Sequence, residues 1–135
     1  MKNFLTALLM VFAGLVIAQD HASTPKEAAS RFTSILDLDA KQQLKMIQIE
    51  ENKAKNLSEI AAYKTSDYSL YIRKRHSVAD GAAGSVRLML RKEQMPKYEV
   101  YIREQRNLRF QKVKTLMSAG ATKEEIDEAG VADDF

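Results

Sequence analysis

Leu38-Asp39-Ala40-Lys41-Gln42 and Leu90-Arg91-Lys92-Glu93-Gln94 are two copies of one short pattern, a leucine, three residues and a glutamine. Each leads into a long charged stretch whose apolar residues recur at helical spacing. In the first copy the chemistry is that of a helix start. Asp39 can accept the backbone N–H of Gln42, and the Gln42 side chain can reach back to the N–H of Asp39. Leu38 then stands just outside the cap, where it can act as a hydrophobic staple. The second copy lacks the acceptor, because Arg91 stands at the capping position. Pro96 follows closely and favours the first turn of a helix, so a long helix begins between Lys92 and Pro96.

The rest of the chain supports an all-α reading. Thr24-Pro25-Lys26-Glu27 is a capping box with proline at the first helical position, and Ala28, Phe32 and Ile35 follow to about Leu36. From Ala40 to about Tyr63, residues Leu44, Ile47, Ala54, Leu57 and Ala61 share one side at about 100° per residue. Met46, Ile49 and Ile60 lie round from that stripe, which fits either two neighbours or one wide core face. Thr65-Ser66-Asp67 offers a cap for a helix carrying Tyr68, Tyr71 and Ile72. Gly81 and Gly84 cost a helix interior about 1 kcal/mol each relative to Ala. They either break this helix or let another approach closely. After Pro96, Tyr98, Tyr101, Ile102, Leu108, Val113 and Leu116 form one broad face. Gly120 is a stop signal, and Thr122 with Glu125 begins a short helix through about Ala129. No stretch shows sustained strand alternation.

The N-terminus reads as an export signal. Lys2 precedes the apolar run from Phe4 to Ile17, and Val16-Ile17-Ala18 offers a small-residue cleavage site. The run is short of the roughly 20 residues a bilayer span requires, so no stable membrane anchor is expected. The expected organisation is a signal at 1–18, a spacer at 19–23, a helical domain at 24–118 and a short acidic helix and tail at 119–135. The chain has no cysteine, so packing rather than disulfides must hold the exported part. These features fit a bacterial periplasm.

Charge is unevenly distributed. Residues 73 to 114 carry 12 Lys and Arg against 4 Asp and Glu, and the last 15 residues carry 6 acids and one Lys. Such a basic stretch either keeps a helix surface wet or attracts acidic partners. Nucleic acid is excluded by the expected export. No catalytic set is apparent: Cys is absent, and His21 and His76 lack metal-ligand spacing. No phosphate-binding loop or nucleophile elbow occurs. No enzyme activity and no cofactor are expected. The tyrosines and methionines near basic residues fit an adaptable binding surface or a core.

The signal, the paired motif and the basic helix after its second copy resemble the Spy/CpxP family of small exported helical proteins, which carry a paired Leu-Thr-x-x-Gln motif. The stretch from Leu88 to Tyr98 is most like the second motif, with Asp39 and Arg91 in place of the family's threonine. The resemblance implies a long antiparallel helical hairpin with short flanking helices, forming a curved homodimer with a concave basic face. It implies chaperoning of unfolded or acidic polypeptides without ATP. The alternatives are docking on the outer domain of an envelope-stress sensor kinase and a metal-responsive role. Leu38, Asp39, Gln42, Leu90 and Gln94 would serve as motif and capping residues. Arg73, Arg75, Arg87, Arg103, Arg106 and Lys114 would attract a client. Tyr68, Tyr71, Met46 and Ile49 would supply apolar contacts.

Overall fold

A computed structural model describes residues 23–131. The expected signal at 1–18, most of the spacer, His21 and residues 132–135 lie outside them. The described residues form helices and no strand.

Helix α1 (Pro25–Leu36) begins on the expected box. Thr24 Oγ1 accepts the Glu27 N–H, and the Glu27 carboxylate accepts the Thr24 N–H at 2.7 Å. It ends at Asp37, whose φ of 51° is left-handed. Leu38 N–H closes the helix end on the Thr33 carbonyl. Helix α2 (Ala40–Ile60) starts on the Asp39–Gln42 box. A turn and the single-turn α3 (Tyr63–Ser66) lead to α4 (Tyr68–Met89), capped where Asp67 accepts the Leu70 N–H at 2.9 Å. The turn at 90–94 then gives α5 (Met95–Ser118), with Pro96 in its first turn. Gly120, at φ 71°, ends it. Helix α6 (Lys123–Gly130) carries the third capping box, Thr122 with Glu125.

Helix α2 packs against both α1 and α4. The core lies where α1, the first half of α2, the end of α4 and the start of α5 meet. Phe32, Leu36, Met46, Val86 and Tyr98 are its largest fully buried side chains. Phe32 meets Tyr101 edge-on at 5.3 Å between ring centres, a favoured aromatic geometry. Helix α5 touches α1 near its start and α6 near its end. Helix α6 in turn reaches back to α3 and the beginning of α4. Tyr68 Oη donates to the Glu124 carbonyl at 2.9 Å, and Lys64 pairs with Glu128 at 2.8 Å. No helix of the described residues is long and apolar enough to cross a membrane.

Three expectations are corrected. The core stripe of α2 is Gln42, Met46, Ile49, Glu50 and Ile60, whereas Leu44, expected inside, is 67% exposed. The stripe is turned because two helices cover the Met46 side, and a polar residue, Gln42, belongs to it. Helix α2 also stops at Ile60 rather than near Tyr63. Helix α4 runs unbroken through Gly81 and Gly84, and a Cβ at either would meet nothing within 4 Å. Neither a break nor a close helix approach accounts for these glycines.

With a helical backbone and free space around them, Gly81→Ala and Gly84→Ala should each raise stability by about 1 kcal/mol. Urea unfolding measures this. A lowered midpoint would mean that another surface comes close to this part of α4.

Candidate functional site: a glutamine pair and a basic pocket

The two copies of the motif meet. Gln42 and Gln94 are both buried, and their side-chain amides face each other. Gln42 Nε2 donates to Gln94 Oε1 at 2.8 Å, and Gln94 Nε2 donates back to Gln42 Oε1 at 3.1 Å. Each oxygen also accepts from the backbone of its own motif. Asp39 N–H reaches Gln42 Oε1 at 3.2 Å, and Arg91 N–H reaches Gln94 Oε1 at 2.9 Å. Each nitrogen also donates to a carbonyl at the end of the helix preceding the other motif. Gln42 Nε2 reaches Met89 O at 3.1 Å, while Gln94 Nε2 reaches Leu36 O at 3.0 Å and Asp37 O at 3.1 Å. Every donor and acceptor of both amides is therefore used, as a buried polar pair requires.

The second motif thus does more than the sequence suggested. Arg91 cannot cap, but its N–H is satisfied by Gln94, which completes half of a capping box. Its guanidinium forms an ion pair with Asp39, the cap of the first motif. Lys97 likewise pairs with Asp37. Leu38 is buried in the core and Leu90 packs against it. All five motif residues belong to one junction that joins α1, α2, α4 and α5.

The expected binding residues separate into groups. Met46 is fully buried and Ile49 nearly so. They are core residues, and their expected place on a binding face is corrected on that ground. Tyr68 is half-buried and spends its hydroxyl on α6. Burial first, then the nearby carboxylates Glu128, Asp127 and Glu124, push its phenol up. Tyr71 is covered by cations, with Arg75 5.8 Å and Lys64 5.9 Å from its ring centre. Arg73 donates to Ser69 Oγ at 2.7 Å. This end of α4 is a docking surface for α6 as much as an open one. Lys114 lies eight residues beyond Arg106 on α5, about 12 Å along the axis.

Arg87, Arg103 and Arg106 do converge. They line a cavity of about 330 Å³ between the end of α4 and the start of α5. Tyr98 lines it too and is only 1% exposed. The Arg87 guanidinium lies 5.7 Å from its ring centre. The Tyr98 hydroxyl makes no hydrogen bond, a state that costs about 1–3 kcal/mol for a buried polar group. Burial pushes this phenol up, against a smaller opposing pull from Arg87, so it remains a protonated donor at neutral pH. From the sequence Tyr98 reads as part of an apolar face and as one of the tyrosines near basic residues that fit either a binding surface or a core. Its spacing from Gln94, one helical turn on, was the available signal.

Beyond this pocket, α5 exposes large apolar side chains. Leu108 is 62% and Phe110 63% exposed, and Val100 and Met117 are also open. Among the described residues no group of three or more His, Cys, Asp or Glu could hold a metal ion. His76 is exposed on α4. Comparison with family models, curated proteins and solved structures finds no match.

The junction makes stability pH-dependent with a defined sign. Accepting the Gln42 N–H, and secondarily facing Arg91, holds the Asp39 carboxyl below its usual range. A carboxyl depressed in the folded state contributes stability above its ordinary value, near 4, and loses it as pH falls through the folded value. Asp39→Asn should therefore be less stable than the parent at neutral pH, and the gap should close below about pH 4. Thermal unfolding from pH 7 to pH 2 tests this. A gap that stays constant with pH would refute the role of the charge.

Proposed function

We propose that this chain is an exported, non-enzymatic helical protein that holds unfolded or stress-exposed polypeptides, after the manner of the Spy/CpxP family it resembles. The observation that carries the reading is the surface of α5. Its apolar side chains Leu108, Phe110 and Met117 are open. At about 100° per residue, Phe110 and Met117 share a side of the helix with the exposed cations Arg103, Arg106 and Lys114, and Leu108 stands on the opposite side. Contiguous patches of open apolar residues mark contact surfaces. Interspersed cations draw in an acidic client and keep its affinity salt-sensitive. The apolar run at 4–17 supports export to the periplasm. The hairpin of the family corresponds here to α2 and α4. A second copy of the chain, paired antiparallel, would turn two α5 surfaces into one concave face.

In the mechanism, charge attraction precedes adaptable apolar contact, and no ATP is consumed. The chain without its first 18 residues should suppress aggregation of a chemically denatured client at stoichiometric amounts and low salt. Suppression should weaken as salt rises. Because both side chains are exposed, the variant Leu108→Ser with Phe110→Ser should keep its melting temperature and lose most of the suppression. Light scattering reads the outcome. Absence of suppression by the parent, or full suppression by the variant, would sink the reading.

A further inference from the structure

The pocket between α4 and α5 has a chemical character of its own. Three guanidinium groups line it, against one carboxylate, Glu99. None of Arg87, Arg103 and Arg106 is held in an ion pair among the described residues. Their charge is therefore available. The buried hydroxyl of Tyr98 is a second, independent sign. It is a hydrogen-bond donor without an acceptor, carried by a residue that lines the same pocket as the three arginines. Met95 and Ile102 complete the lining and make part of the wall apolar. At about 330 Å³, the space corresponds to about ten water volumes. That suits one acidic side chain and part of its neighbour.

We propose that this pocket binds a single carboxylate of an acidic polypeptide segment, with Arg87, Arg103, Arg106 and the Tyr98 hydroxyl as donors and Met95 and Ile102 taking an adjoining apolar side chain. The inference rests on the reading that the protein holds polypeptides, and it adds a sequence preference to it. Guanidinium forks match carboxylate oxygens in geometry as well as charge. The phenol adds a neutral donor that burial keeps protonated. The apolar wall disfavours a bare, fully hydrated anion and favours an acid next to Leu, Ile or Phe. Clients would then be gripped at acidic-apolar pairs by the pocket and more loosely along α5.

The test uses the chain without its first 18 residues and two labelled unstructured peptides, identical except for Asp or Asn between two leucines. Fluorescence anisotropy at low salt should show the Asp peptide bound about tenfold more tightly, the expected scale for charge-assisted hydrogen bonds. Tyr98→Phe keeps the ring and removes only the orphaned hydroxyl. It should lower the preference about threefold while leaving the melting temperature equal or higher, because no hydrogen bond is lost. Arg103→Gln, on the exposed side of α5, should lower the preference independently of core packing.

Equal binding of the two peptides, or a preference untouched by both variants, would overturn the proposal. So would phosphatidylglycerol vesicles binding in a Tyr98-dependent way while the Asp peptide does not bind, since the pocket would then serve a lipid phosphate. Aggregation suppression measured beside it separates the two claims. A parent that suppresses aggregation without an Asp preference refutes the pocket alone. A parent with the preference but no suppression upholds the pocket and refutes the holding function.

Discussion

The amide pair of Gln42 and Gln94 is the contact on which the arrangement of helices depends. Each amide sits at the start of one long helix and is tied to the end of the helix before the other. The pair therefore joins four helix termini through two side chains. In a low-dielectric interior such a network is strong when complete and costly when broken. The start of α5 is also anchored by the buried Tyr98, by Met95, Tyr101 and Ile102 against the core, and by the Lys97–Asp37 ion pair. The amide pair adds to these apolar contacts a directional polar link between α5 and the start of α2.

What the junction fixes is the surface that follows from it. Tyr98 enters the core one turn after Gln94, and the next turns bring Arg103 and Arg106 beside Arg87 of α4. From there α5 runs to α6, which is tied back to α3 by Lys64 and to the start of α4 by Tyr68. A helix held at its two ends can leave its middle open. This accounts for large apolar side chains such as Leu108 and Phe110 remaining exposed along α5. The fold thus separates duties: the motifs set geometry, and α5 with the end of α4 carries the charge and the contact surface.

Local chemistry was legible in the sequence and tertiary chemistry was not. The boxes at Thr24 and Asp39 and the stop at Gly120 follow from hydrogen-bonding rules within four residues, and the structure places them as expected. The all-helical class followed from the same spacing. The second motif was read as a lost cap because Arg91 cannot accept a hydrogen bond. Its partners, Asp39 for the guanidinium and Gln42 for the Gln94 amide, lie in another part of the chain. Met46 and Ile49 fall beside the main stripe and read as client contacts, because that stripe was drawn through apolar residues only. Drawn through Gln42, it passes one and two turns later through Met46 and Ile49. A buried polar residue set the face, and hydropathy alone does not see such a residue. The convergence of Arg87 with Arg103 and Arg106 required the same junction.

A double-mutant cycle on the glutamine pair tests the central claim most directly. Gln42→Leu and Gln94→Leu, measured singly and together by urea unfolding, should each lose about 2–3 kcal/mol, since each strands a buried amide. The double variant strands neither partner, so its loss should fall short of the sum by at least about 1 kcal/mol. Losses that add to within about 0.5 kcal/mol would mean that the two motifs act separately, which contradicts the account.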